Sequence, residues 1–244
     1  MERRQHRGAA PEDARLFGPR QQPVLRSAAQ EIVWLLDRGY RMEPAVEFVG
    51  GHHQLEARQR HALSRSLCST AQRSDRMCRA IPAGALAGRT LSIDGFNIVI
   101  AVEVALSKGI LLEGMDGGVR DMAGLRGSYH LVHETLTAID VVGGVLAELR
   151  VGSTRWLLDA PVSNSGRLRA AILEHASHWP FACTVELVPN PDPLLYGVDG
   201  VATCDAAILD RCLGWFNLAG YAVRQRVPDA WRVPLGPDPC DSSP

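Results

Sequence analysis

Lysine is almost missing from this chain: Lys108 stands alone against 25 arginines, and aromatic residues make up only 6%. Genome base composition can produce the lysine deficit by itself, so it carries no functional weight. No apolar run reaches the ~18 residues that a membrane-spanning helix needs, so no span is expected. The opening stretch, MERRQHRGAAPEDARLFGPRQQPVL, lacks the apolar core of a secretory signal and reads as a frayed, disordered leader. The six cysteines, at 68, 78, 183, 204, 212 and 240, include no CxxC pair. That argues against a zinc ribbon or a dense disulfide framework and points to a reducing, cytoplasmic compartment. Cys240 is expected to be exposed in the polar tail GPDPCDSSP. Walker A, dinucleotide and Ser-elbow fingerprints are also missing, and no internal repeat is visible.

What the chain does have is a globular composition, with 46% hydrophobic and 22% charged residues over 244 positions. That length suits one large domain, or a compact domain with a smaller companion. The net charge of −1 hides an asymmetry: residues 1–89 sum to +6 and residues 90–244 to −7. A basic segment beside an acidic one suits a polyanion-binding arm attached to a metal-binding domain. It equally suits a basic helix face packed against an acidic neighbour.

Helical periodicity dominates the first part. Leu25, Ala28, Ala29, Ile32, Val33 and Leu36 share one face, and Gly39 is placed to stop that helix. A second helix runs from Pro44 toward Gly50 and Gly51. Residues 54–79 carry a thin apolar stripe and a basic surface of Arg58, Arg60, Arg65, Arg73, Arg76 and Arg79. AIPAGALAG then reads as a linker. From residue 90 the pattern changes. RTLSID, ILLEG, RWLLD, CTVELV and GVATC read as strands alternating with helices near 97–107, 128–149, 165–179 and 205–220. Such alternation predicts an α/β fold with a mostly parallel sheet and helices on both faces. The divisions are 1–24 leader, 25–88 basic helical segment, 89–226 α/β domain and 227–244 Pro-rich tail.

Asp94 ends LSID, Asp159 ends WLLD and Asp205 follows GVATC, so three carboxylates fall at carboxyl ends of predicted strands. Ligands of open parallel sheets bind outside those ends. Each aspartate alone also suits a helix cap. Three together repel one another, and a divalent cation such as Mg²⁺, with oxygen ligands, would remove that cost. The Gly-rich loop GMDGGVRDMAGLRG adds Asp116 and Asp121 as further candidate ligands, and Arg120 and Arg126 as candidate phosphate contacts. It equally reads as a flexible surface loop. Ser163, Ser165 and Arg167 surround a helix start beside Asp159, which suits both an N-cap and a phosphate seat. Glu103 either turns toward the acids or faces solvent. His52 and His53 read as turn or surface histidines, and His175 and His178 as structural ones.

IDGFNIVI resembles the DGYN-type opening strand of the PIN/NYN-like metal-dependent nucleases, and GVATCDAAILD resembles a later strand of that superfamily. WLLDRGYRMEPAVEFVGGHHQL, RDMAGLRGSYH and LLDAPVSNSGRL are similar to an uncharacterised prokaryotic family, domain of unknown function number 434, joined to a PIN-like part. The resemblance spans roughly residues 30–220. It implies a PIN-like three-layer α/β/α sandwich behind a small all-helical segment, with Mg²⁺ or Mn²⁺ at the acids and RNA or DNA as substrate, of which RNA is the leading expectation. Asp94 matches the first-strand aspartate, Asn97 the accompanying amide and Asp205 the later aspartate. Asp159 fits a strand-end acid, and Glu103, Asp116 and Asp121 compete for the mid-chain acid. The long Gly-rich loop departs from the superfamily pattern. A metal-dependent nuclease is therefore expected, with Asp94, Asp159 and Asp205 catalytic and Asn97, Arg120, Arg126, Ser163, Ser165 and Arg167 holding substrate. The alternatives are a non-catalytic RNA-binding module and a small-substrate phosphatase or nucleotide-processing enzyme. Oligomeric state is left open, a homodimer included.

Overall fold

A computed structural model describes residues 6–122 and 128–236. Its first part is helical: α1 (Asp13–Phe17), α2 (Gln22–Leu36), α3 (Met42–His52), α4 (Ala57–Ser66) and α5 (Thr70–Cys78). In α2, Pro23 occupies the first turn, where no amide hydrogen is needed, and Leu25, Ala28, Ala29, Ile32 and Val33 form the buried stripe. The charged stretch 54–79 breaks into two helices because each start is capped reciprocally, by Glu56 with Gln59 and by Ser69 with Gln72.

The leader expected over 1–24 is not wholly irregular. Asp13, Leu16 and Phe17 of α1 are buried, and Asp13 takes an ion pair from Arg58 at 2.5 Å. A single helical turn bounded by prolines shows no periodicity, which is why sequence pattern missed it.

The α/β part follows as β1 (Thr90–Asp94), α6 (Gly95–Leu106), β2 (Leu111–Glu113), β3 (Val119–Asp121), α7 (Thr135–Glu148), β4 (Ser153–Asp159), α8 (Ser165–Ala176) and β5 (Ala182–Val188). It continues through α9 (Asp192–Leu195), β6 (Val201–Ala202), α10 (Ala206–Leu209), β7 (Trp215–Phe216), α11 (Leu218–Arg226) and β8 (Arg232–Pro234). Five strands form a parallel sheet in the order β5-β4-β1-β6-β7. The chain leaves β1 toward β4 and β5, then returns to lay β6 on the other side of β1. The sheet therefore has its topological switch between β1 and β6, where ligand crevices of open α/β sheets open.

The two faces are covered unequally. On one, Ile93, Trp156 and Leu158 share a core with apolar residues of α6, α7, α8 and α11. On the other, Leu157, Val201 and Trp215 pack with Leu195, Ile208 and Leu209, carried by α9 and α10, each a single turn. The helix expected over 205–220 is in fact α10, β7 and the start of α11. Trp215 and Phe216 enter opposite cores, the period-two alternation of a strand.

A second sheet has the order β3-β2-β8, with β2 antiparallel to β3 and parallel to β8. The expected Pro-rich tail thus supplies a strand. Ile110, Leu112, Val233 and Leu235 of this layer share one buried cluster with Leu25, Ile32 and Leu63 of the helical part. Residues 79–81 also run along β7: Trp215 N donates to Arg79 O at 3.0 Å and Ile81 N donates to Trp215 O at 2.7 Å. Among the described residues no helix is long and apolar enough to cross a membrane.

Candidate functional site

Asp94 is the last residue of β1 and stands at the N-cap of α6, yet its side chain makes no capping bond. Gly95 lets α6 start hard against β4, since a Cβ there would lie 3.2 Å from Leu157 O and 2.5 Å from Leu158 Cδ2. The Asp94 carboxylate is 8% exposed and accepts one hydrogen bond at Oδ2, from Thr203 Oγ1 at 2.8 Å. Thr203 Oγ1 in turn accepts from Asp205 N at 3.0 Å, so one hydroxyl joins the ends of β1 and β6. Asp205 does cap a helix: its Oδ1 accepts from Ala207 N at 2.8 Å and Ile208 N at 3.3 Å. Asp159 ends β4, two strands from Asp205 across the sheet.

Electrostatics tie these groups together. Burial, followed by the charges of Asp205, Asp159 and Asp192, raises the Asp94 carboxyl to about 7, against the lowering effect of the Thr203 bond. Burial and Asp192 also raise Asp159, and burial and Asp205 raise Asp192. Four carboxylates thus act on one another across the carboxyl edge of β4, β1, β6 and β5. Sequence pattern missed two residues of this edge, one of them a carboxylate. Thr203 was hidden inside GVATC as a strand residue, and Asp192 opens α9 in the PDP stretch after CTVELV, four residues beyond the end of β5.

Several expected site residues have other occupations. Asn97 does not reach Asp94; its Oδ1 accepts from Cys204 N at 3.0 Å and Cys204 Sγ at 2.6 Å, fixing the loop after β6. Asp116 and Arg120 are buried in an ion cluster of their own. Arg120 grips Asp116 with a two-pronged contact at 2.8 and 2.6 Å, and Arg76 adds a bond at 2.7 Å. Burial works to raise Asp116, but the two arginines outweigh it and hold the carboxyl down at about 2. Asp116 is therefore no free metal ligand and Arg120 no free phosphate contact. Their spacing of four in a Gly-rich stretch looked like a phosphate loop because Arg76, the third partner, lies 40 residues away. Asp121 is buried at the end of β3.

Ser163 holds the 128–130 segment: its Oγ accepts from Tyr129 N at 3.0 Å and donates to Tyr129 O at 3.2 Å. Ser165 Oγ donates to Ala160 O at 3.3 Å, and Asn164 takes the N-cap of α8 instead, at φ 60°. Arg167 is exposed in the first turn of α8. Arg126 and Cys240 lie outside the described residues. Glu103 faces away from the acidic edge, fully buried against Tyr129 Oη, Thr135 Oγ1 and Arg7 Nε, each at 2.5 Å. The basic helical surface is largely neutralised. Arg58 pairs with Asp13, Arg60 with Glu47, Arg76 with Asp116 and Asp210, and Arg79 with Asp75. A face packed against acids describes this segment better than a free polyanion arm.

The sequence model described as "Domain of unknown function (DUF5616)" matches residues 83–221, more than half of the chain. The protein belongs to the DUF5616 family. Ahead of the DUF5616 region, residues 24–79 match "Protein of unknown function (DUF434)". The chain is also 29% identical over 186 residues to "Uncharacterized protein MJ0935" of Methanocaldococcus jannaschii, covering 76% of this chain and 88% of that protein. No solved structure matches. Every member of the four-carboxylate group lies within the DUF5616 region, whereas the ion cluster joins that region to Arg76 of the DUF434 region.

Proposed function

We propose that the carboxyl edge of the parallel sheet is a divalent-metal site for hydrolysis of phosphodiesters in nucleic acid, RNA in preference to DNA. One observation carries this reading. Asp94 is buried, uncapped and raised to about 7, and after burial and one hydroxyl the groups acting most strongly on it are three other carboxylates. Such an arrangement is costly by itself and would be relieved by a hard dication that prefers oxygen ligands, Mg²⁺ or Mn²⁺, drawing in carboxylates of which no three now offer oxygens within 4.8 Å of one another. Asp94, Asp159 and Asp205 would hold the ion, with Asp192 alongside. When bound there, the ion supplies Lewis-acid polarisation and a water of lowered pKa. The chain's own contribution is positional: Thr203 fixes Asp94 relative to Asp205, and the backbone amides of α10 hold Asp205 still. Arg167, exposed in the first turn of α8, would meet a substrate phosphate.

The PIN-like sandwich is part of the same reading. It is supported by the parallel sheet with its switch at β1 and by the DGFN opening. The test is cleavage of labelled RNA and DNA oligonucleotides with Mg²⁺ or Mn²⁺. Asp94→Asn is expected to lower the rate at least 100-fold while leaving the protein folded. Cleavage untouched by this change sinks the assignment, and turnover of small phosphoesters alone would move the substrate to that class.

A further inference from the structure

In the helical part, α2 and the end of α3 bring together side chains the acidic edge does not use. Glu31 stands on the outer face of α2. His52 is the last residue of α3 and His53 its C-cap, after which Gln54 reverses the chain at φ 53°. His53 Nε2 lies 2.9 Å from Glu31 Oε1, and the two imidazoles meet edge to face at 4.9 Å. One ligand atom from each of the three residues lies within 4.8 Å of the others. From this geometry we infer that Glu31, His52 and His53 form a second metal site, which takes a zinc-class ion.

The donor chemistry selects the ion. Two imidazoles and a carboxylate are a borderline set that suits Zn²⁺ and leaves a fourth position for water, whereas Mg²⁺ prefers oxygen alone. Tetrahedral Zn²⁺ with bonds of ~2.1 Å places its ligand atoms about 3.4 Å apart. The contraction from 4.8 Å is therefore within reach of side-chain rotation at a surface. Both helices are held by their buried faces, so only side chains need move. The carboxyl-terminal end of α3 presents the negative pole of its backbone dipoles, which favours a cation at His52 and His53. Access is open on one side: the Glu31 side chain is 45% exposed and that of His53 14%. Glu31 also lines a cleft of about 440 Å³ walled by Trp34 and Phe48, so the site would border an apolar wall on the Glu31 side.

The experiment is calorimetric titration of the full chain with Zn²⁺ in an Asp94→Asn/Asp205→Asn background, which disables the acidic edge. One equivalent should bind, Mg²⁺ should not displace it, and His53→Ala or Glu31→Gln should weaken it at least ten-fold with an unchanged circular-dichroism spectrum. Co²⁺ in place of Zn²⁺ should give visible bands without thiolate charge transfer. Absence of a one-equivalent event overturns the site. So does binding indifferent to His53→Ala, or a thiolate signature from one of the free cysteines. Because the titration never involves RNA cleavage, its failure leaves the proposal for the acidic edge standing, and the converse holds.

Discussion

Two buried aspartates in this molecule, Asp116 and Asp94, differ in what faces them. Asp116 is enclosed by Arg76 and Arg120, and its carboxyl is held at about 2. Asp94 is buried to a similar degree beside Asp159, Asp192 and Asp205, and its carboxyl rises to about 7. Burial disfavours the charge of both, so the sign of the outcome is set by the neighbours. The first cluster is closed: Arg76 also reaches Asp210 at 2.6 Å, which locks α5 to the loop after α10. The second is short of positive charge, which the dication proposed there would supply. A charged cluster is informative about function only once its partners are counted.

That contrast can be broken or sharpened by experiment. The largest change should follow Asp116→Ala, which strands the buried guanidinium of Arg120 and leaves that of Arg76 with Asp210 alone. A loss of about 3–5 kcal/mol is expected in urea unfolding, and a loss near zero would mean that the cluster is not closed. Because its folded pKa is depressed, the stability due to Asp116 is present above about 3.8 and fades as pH falls through about 2.

Asp94 should behave oppositely. Its folded pKa is raised from 3.8 to about 7, so the native state holds the extra proton between these values. Without metal its contribution therefore declines as pH climbs from about 4 to about 7 and stays low above that. Asp94→Asn should stabilise the metal-free protein at pH 8 by on the order of 2–4 kcal/mol and change little near pH 4. Added Mg²⁺ should stabilise the wild type and not the variant; equal responses would detach Asp94 from any ion. A smaller effect is expected from Thr203→Val, which removes the hydroxyl bonded to Asp94 and to Asp205 N. It should cost about 1–2 kcal/mol and push the Asp94 carboxyl higher still, as read by NMR titration.

The long elements were legible because their periodicity is local. The α2 stripe and the strand endings at Asp94 and Asp159 follow from residues adjacent in sequence. The strands β3, β7 and β8 have two or three residues each, and their pairing comes from partners distant in the chain, which no local pattern reveals. The same limit governed the site. The strand-end aspartates could be read directly, while the fate of Asp116 and Arg120 depended on Arg76, and that of Asn97 on Cys204. Thr203 and Asp192 are chemically ordinary residues whose importance comes from the neighbours that folding brings to them.

The short run of backbone bonds between residues 79–81 and β7 has a consequence for how the protein comes apart. The two family matches meet between residues 79 and 83, which invites cutting the chain there. Such a cut would free the outer edge of β7, strip Trp215 Nε1 of its acceptor, Arg76 O at 2.7 Å, and leave Asp116 with one arginine. Bare strand edges template pairing with other chains, so the isolated α/β piece should tend to aggregate. The two inherited modules are therefore expected to melt together, as one cooperative unit whose seam is among its last parts to open.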